Sequence, residues 1–122
     1  MMSILISVVD DDRLVRDATT DLLNSLGYVA VAFESAEEFL DSGQVKDTGC
    51  LITDQQLPGL TGIELQAQLR ADGYRTPIIF ITGFPESKIR DRALGAGAIA
   101  FLSKPFEEAD LLNSLQAALN TH

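Results

Sequence analysis

Two hydrophobic periods alternate along this chain. Ile4-Leu5-Ile6-Ser7-Val8-Val9 is a near-continuous apolar run, as in a strand covered on both faces. Leu14, Ala18, Leu22 and Leu26 then recur at steps of four, with Val15 on the same side, which predicts an amphipathic helix closed by Gly27. Tyr28 to Phe33 reads as a second strand. Ser35, with Glu38 three residues on, carries a capping-box signature and opens another helix. Cys50 to Thr53 is a short third strand. Pro58, Gly59 and Gly62 break the chain before a helix over Ile63 to Ala71. Pro77 starts a fourth strand, Ile78 to Ile81, ending at Thr82. A helix from Pro85 to Leu94, with Gly95 and Gly97 at its end, precedes a fifth strand, Ala98 to Leu102. The last helix, Glu107 to Leu119, is predicted to bury Leu111, Leu112, Leu115 and Leu119.

Five β-α units imply a parallel sheet, because parallel strands need crossovers and those are right-handed. A chain of 122 residues is one domain by length. It is too short for an eightfold barrel, which takes about 250 residues. The expectation is an α/β fold: a doubly wound five-stranded parallel sheet in flavodoxin-like order 2-1-3-4-5, helices on both faces.

In such sheets ligands bind beyond the carboxyl ends of the strands, near the switch in strand order. Asp10, Asp11 and Asp12 follow the first strand, Asp54 the third, Thr82 the fourth and Lys104 the fifth. Taken singly, each has a structural explanation as a turn former, a cap or a solvated charge. Their convergence at one edge does not, since crowded carboxylates raise at least one pKa unless a cation neutralises them. The all-oxygen donor set suits a hard cation. Mg²⁺ fits better than Ca²⁺, being held by one or two carboxylates plus waters and phosphate oxygens. A carboxylate beside it can take a phosphoryl group, with an ammonium and a hydroxyl stabilising the charge.

At these residues the chain resembles the receiver domain of two-component response regulators, over essentially its whole length, 1–122. The matching motifs are Val8-Val9-Asp10-Asp11-Asp12, Asp54 with Leu57-Pro58-Gly59 and Gly62, Ile81-Thr82-Gly83, and Phe101-Leu102-Ser103-Lys104-Pro105-Phe106. The wording around Asp54 and Lys104 is most similar to the nitrogen-fixation, LuxR-type branch, whose members usually carry a helix-turn-helix DNA-binding output domain. The resemblance implies that Asp54 accepts a phosphoryl group from a sensor histidine kinase. It implies Mg²⁺ on Asp11, Asp54 and the backbone carbonyl of Gln56, with Asp10 helping directly or through water. Thr82 and Lys104 bind phosphoryl oxygens, Phe101 is the switch aromatic, and Lys104-Pro105 is a cis peptide. Gln56 and Phe84 occupy the positions that tune dephosphorylation, and both are less typical there. On pattern alone Phe101 fits a fixed core residue equally well, and Asp12 fits an N-cap as well as a metal role. Because Thr82 and Lys104 flank it, the output face is expected within residues 82–104, on the helix Pro85 to Leu94 and the strand Ala98 to Leu102, with Ile89 or Arg90 as exposed contacts of a phosphorylation-dependent homodimer.

Composition narrows the alternatives. A formal charge of −9 argues against this chain holding nucleic acid directly. No apolar run approaches the roughly 20 residues of a membrane span. Met1-Met2-Ser3 does not read as a secretory signal, so a cytoplasmic protein is expected. The single cysteine, Cys50, reads as a buried strand thiol. Asp10-Asp11-Asp12-Arg13-Leu14 loosely resembles the haloacid-dehalogenase phosphatases, with Asp10 as nucleophile and Asp12 as acid. Leu14 departs from that motif, no paired acids follow Lys104, and there is no room for a capping insert. A phosphate-independent adaptor would have an incomplete acidic pocket, and this one is complete. The reading is a phosphoacceptor switch, not an enzyme beyond self-phosphorylation and self-dephosphorylation.

Overall fold

The computed structural model describes residues 4–120; Met1-Met2-Ser3, read above for a leader, lie outside them. Five strands, β1 (Leu5–Val9), β2 (Val29–Phe33), β3 (Cys50–Asp54), β4 (Ile78–Thr82) and β5 (Ala100–Ser103), alternate with five helices. These are α1 (Arg13–Ser25), α2 (Ala36–Asp41), α3 (Gly62–Ala71), α4 (Ser87–Gly95) and α5 (Glu108–Leu119). All strand pairs are parallel, in the expected order β2-β1-β3-β4-β5.

The two central strands β3 and β4 are buried throughout, which is why their sequences are apolar without alternation. Their side chains feed two cores. On one face Leu51, Ile78 and Phe80 pack with Phe39 of α2, Leu65 and Leu69 of α3 and Ala93 of α4. On the other, Ile52, Ile79 and Ile81 pack with Leu23 of α1 and Leu111, Leu115 and Ala118 of α5. Helices therefore cover both sides, and every strand delivers its carboxyl end to one edge.

Several local expectations are corrected. The buried side of α1 is Thr19 and Leu23, with Val15 and Leu22 half-buried, while Leu14 is 80% exposed and Leu26 40%. Steps of four overshoot a helical turn by about 40° each, so the set beginning at Leu14 cannot hold one face. Ser35 does cap α2, accepting from the Glu38 amide at 3.1 Å, but the reciprocal capping box is found at Thr61 and Glu64 on α3. Pro85 stands two residues before α4, whose N-cap, Glu86, makes no side-chain cap. Ile89 packs half-buried on the core and is not a free contact, whereas Arg90 is exposed.

Candidate functional site

The strand ends assemble the site. Asp54 is the last residue of β3 itself, held by the parallel ladder opposite Ile81. Asp10 follows β1 and is fully buried, its amide donating to the Phe33 carbonyl at 3.1 Å. One ligand oxygen from each of Asp10, Asp11 and Asp54 lies within 4.8 Å of the others, with Asp11 on the exposed side. Asp12 is not among them. Its Oδ1 caps α1, accepting from the amides of Leu14 at 3.0 Å and Val15 at 3.5 Å.

Lys104 reaches into this group from beyond β5. Its Nζ donates to Asp54 Oδ2 at 2.8 Å. It also stands 2.9 Å from Asp10 Oδ2, out of line for a hydrogen bond, so that buried oxygen has an ion-pair partner but no hydrogen-bond donor. The other oxygens are engaged: Asp10 Oδ1 accepts from the Asp12 amide at 2.9 Å and Asp54 Oδ1 from the Gln56 amide at 3.0 Å. The Lys104 amide donates to the Thr82 carbonyl at 2.7 Å, tying the ends of β4 and β5, and Lys104-Pro105 is cis.

The electrostatics follow from burial. Desolvation pushes the Asp10 carboxyl above its ordinary value, although the Asp12 amide and Lys104 act the other way. Burial alone would lower Lys104, but its hydrogen bond to Asp54 and its ion pair with Asp10 outweigh this and hold the ammonium above its usual range. Lys104 pairs with Asp10 and Asp54 while Asp11 adds a third carboxylate beside them, so the ionised group keeps an excess of negative charge. That excess, with an Asp10 oxygen that has no hydrogen-bond donor, fits a hard divalent cation.

Thr82 is buried, and its Oγ1 accepts from the Phe84 amide at 3.2 Å. Phe84 is 71% exposed and Gln56 is exposed. Phe101 is half-buried and stacks on Phe80, centroids 5.7 Å apart, so it is neither a sealed core residue nor a free one. Two supports had no sequence signal. Arg16 Nη1 donates to the Asp10 carbonyl at 2.8 Å, and Gln55 Oε1 accepts from the Ile63 amide at 2.8 Å.

The response regulator receiver domain model matches residues 6–116. The chain belongs to the response regulator receiver domain family. As a receiver it is a signalling domain of two-component systems, not an enzyme of the ordinary kind. It is 43% identical over 114 residues to Nodulation protein W of Bradyrhizobium diazoefficiens, covering 93% of this chain and 50% of that one. It is 38% identical over 117 residues to the transcriptional regulatory protein FixJ of Azorhizobium caulinodans, covering 96% and 56%. The receiver thus spans about half the length of these relatives. The crystal structure of FixJ-N superposes with a TM-score of 0.87 at 31% identity, covering 100% of this chain and 98% of that one. The response regulator StyR superposes with a TM-score of 0.89 at 42% identity, over 97% of this chain and 60% of that one. This supports the nitrogen-fixation resemblance. No helix among the described residues is long and apolar enough to cross a membrane.

Proposed function

We propose that residues 1–122 form one receiver domain whose phosphoacceptor is Asp54, charged by a sensor histidine kinase. The observation that carries this is Lys104 Nζ at 2.8 Å from Asp54 Oδ2, inside the group of Asp10, Asp11 and Asp54. An Asp54 carboxylate oxygen attacks phosphorus; the O–P bond forms as the P–N bond of the phosphohistidine breaks, and the electron pair returns to the imidazole nitrogen. Lys104 and the Thr82 hydroxyl stabilise the phosphoryl oxygens. Asp10, Asp11, Asp54 and the Gln56 carbonyl would hold Mg²⁺, which when bound supplies positive charge against the phosphoryl group.

Pulling Thr82 and Lys104 toward a phosphate repositions the segment between them, residues 82–104, with Phe101 as its reporter. α4 suits a mobile element, having Ala93 as its buried residue and no side-chain cap. The output is a DNA-binding domain in a longer parent chain or a homodimer through this face, in the cytoplasm. Gln56 and Phe84 tune phosphate loss by controlling water at Asp54. With −9 net charge, the receiver itself does not bind nucleic acid.

Incubation with acetyl phosphate and Mg²⁺ is expected to add one phosphoryl mass, lost in Asp54→Asn. A label that survives in Asp54→Asn but vanishes in Asp10→Asn would favour the phosphatase reading instead.

A further inference from the structure

The loop between β3 and α3 is pinned by a carboxylate from another helix. Glu37, in the first turn of α2, accepts a hydrogen bond from the Leu60 amide at 3.0 Å, across 23 residues of sequence. The chain at Gly59 runs so close that a Cβ there would collide with Glu37 Oε2. Gly59 also has φ +76°, so glycine serves both the turn and the approach of Glu37.

The remaining polar anchors of this loop sit at its two ends. The Gln56 amide is held by Asp54 at 3.0 Å, and the Gly62 amide by the Gln55 carbonyl at 3.0 Å. Thr61 and Glu64 close the capping box of α3. Between them, across Pro58 to Leu60, the Leu60–Glu37 bond is the polar anchor found among the described residues.

We infer that Glu37 is a positioning residue for the metal site: it braces the loop on α2 and so fixes the Gln56 carbonyl relative to Asp11 and Asp54. The inference rests on the Mg²⁺ reading above. Glu37 is not one of the clustered carboxylates, so it acts through the loop and not as a ligand. A backbone amide donating to a carboxylate belongs to the stronger class of hydrogen bonds. Partners outside the ligand shell commonly set metal affinity by orienting the ligands.

The test is a Mg²⁺ titration followed by amide shifts, together with hydrogen exchange at Leu60. It uses wild type, Glu37→Ala, Glu37→Gln and Glu38→Ala. Glu37→Ala is expected to bind Mg²⁺ about tenfold more weakly. Glu37→Gln keeps a carbonyl acceptor and recovers most of that loss. Glu38→Ala removes the same charge from the same helical turn and is expected to bind like wild type. The Leu60 amide exchanges faster in Glu37→Ala alone. Equal losses in Glu37→Ala and Glu38→Ala would show a net-charge effect and overturn the brace, as would unchanged Leu60 exchange. Absence of Mg²⁺ binding by wild type would overturn the metal reading itself, and this inference with it.

Discussion

Lys104 Nζ lies 2.8 Å from Asp54 Oδ2, joining residues 50 apart in sequence across the end of β4, which separates their strands. The same ammonium stands 2.9 Å from the fully buried Asp10. One cation therefore serves two acids, and the receiver holds more negative charge at this edge than its own residues neutralise. Such sites trade stability for function.

Asp10 should reveal that trade. Burial holds its carboxyl above the ordinary value, so the folded state binds this proton more tightly than the unfolded chain does. Stability from this group therefore falls as pH rises from the ordinary carboxylate range through the raised value. Without Mg²⁺ at pH 7, Asp10→Asn is expected to gain on the order of 1 kcal/mol, about 4 °C in Tm. The gain should shrink toward pH 4, and thermal melts across that range measure it. A less stable Asp10→Asn at pH 7 would mean that the ion pair with Lys104 outweighs the cost of burial.

Mg²⁺ should stabilise the fold by mass action. At ten times the dissociation constant the expected gain is about 1.4 kcal/mol, because the ion binds the folded state alone. Asp11→Ala, removing the exposed member of the carboxylate group, should abolish most of that gain without lowering the metal-free Tm. Equal Mg²⁺-induced shifts in wild type and Asp11→Ala would remove Asp11 from the ligand set.

The fold and the chemical edge were legible because a parallel sheet sends every strand's end to one side. Apolar runs located the strands, so the residues after them, Asp10, Asp54, Thr82 and Lys104, had to meet. The buried face of α1 does not follow its apolar pattern: the most regular apolar series begins at Leu14, which is 80% exposed. Glu37 was not legible at all. Capping chemistry pointed to Glu38, and no periodicity relates Glu37 to a backbone amide 23 residues later. Close approaches of side chain to backbone leave no pattern in a sequence. A left-handed glycine such as Gly59 marks the turn but not its partner.

Cys50 gives a separate alkaline prediction. Burial in β3 pushes its thiol from the ordinary 9.0 up to about 12. Stability from this group is then fully present below about pH 9 and lost progressively as pH rises toward 12. Cys50→Ala, though weaker at neutral pH from lost packing, should lose less stability than wild type between those limits. Native Cys50 should also resist alkylation until the protein unfolds. Parallel pH curves for the two proteins, or rapid native alkylation, would contradict a sealed thiol.

Two glycine-to-alanine changes should move stability in opposite directions. At Gly62, the first residue of α3, a Cβ would lie 2.6 Å from the Asp54 carbonyl oxygen and 3.0 Å from Phe80 Cε2. Neither neighbour yields easily, since one is backbone and the other is a fully buried ring stacked on Phe101. Gly62→Ala should therefore cost about 1–3 kcal/mol, as overpacking does. It should also slow phosphorylation by displacing the end of β3. At Gly95, the last residue of α4, an added Cβ meets nothing within 4 Å, and the backbone is not left-handed. Gly95→Ala should gain about 0.4–1 kcal/mol by restricting the unfolded chain. Because α4 buries little beyond Ala93, the added stiffness should appear as slower hydrogen exchange confined to that helix. Denaturant melts and exchange rates on both variants decide the matter. A neutral Gly62→Ala would mean that the junction of β3 and α3 is looser than its distances imply.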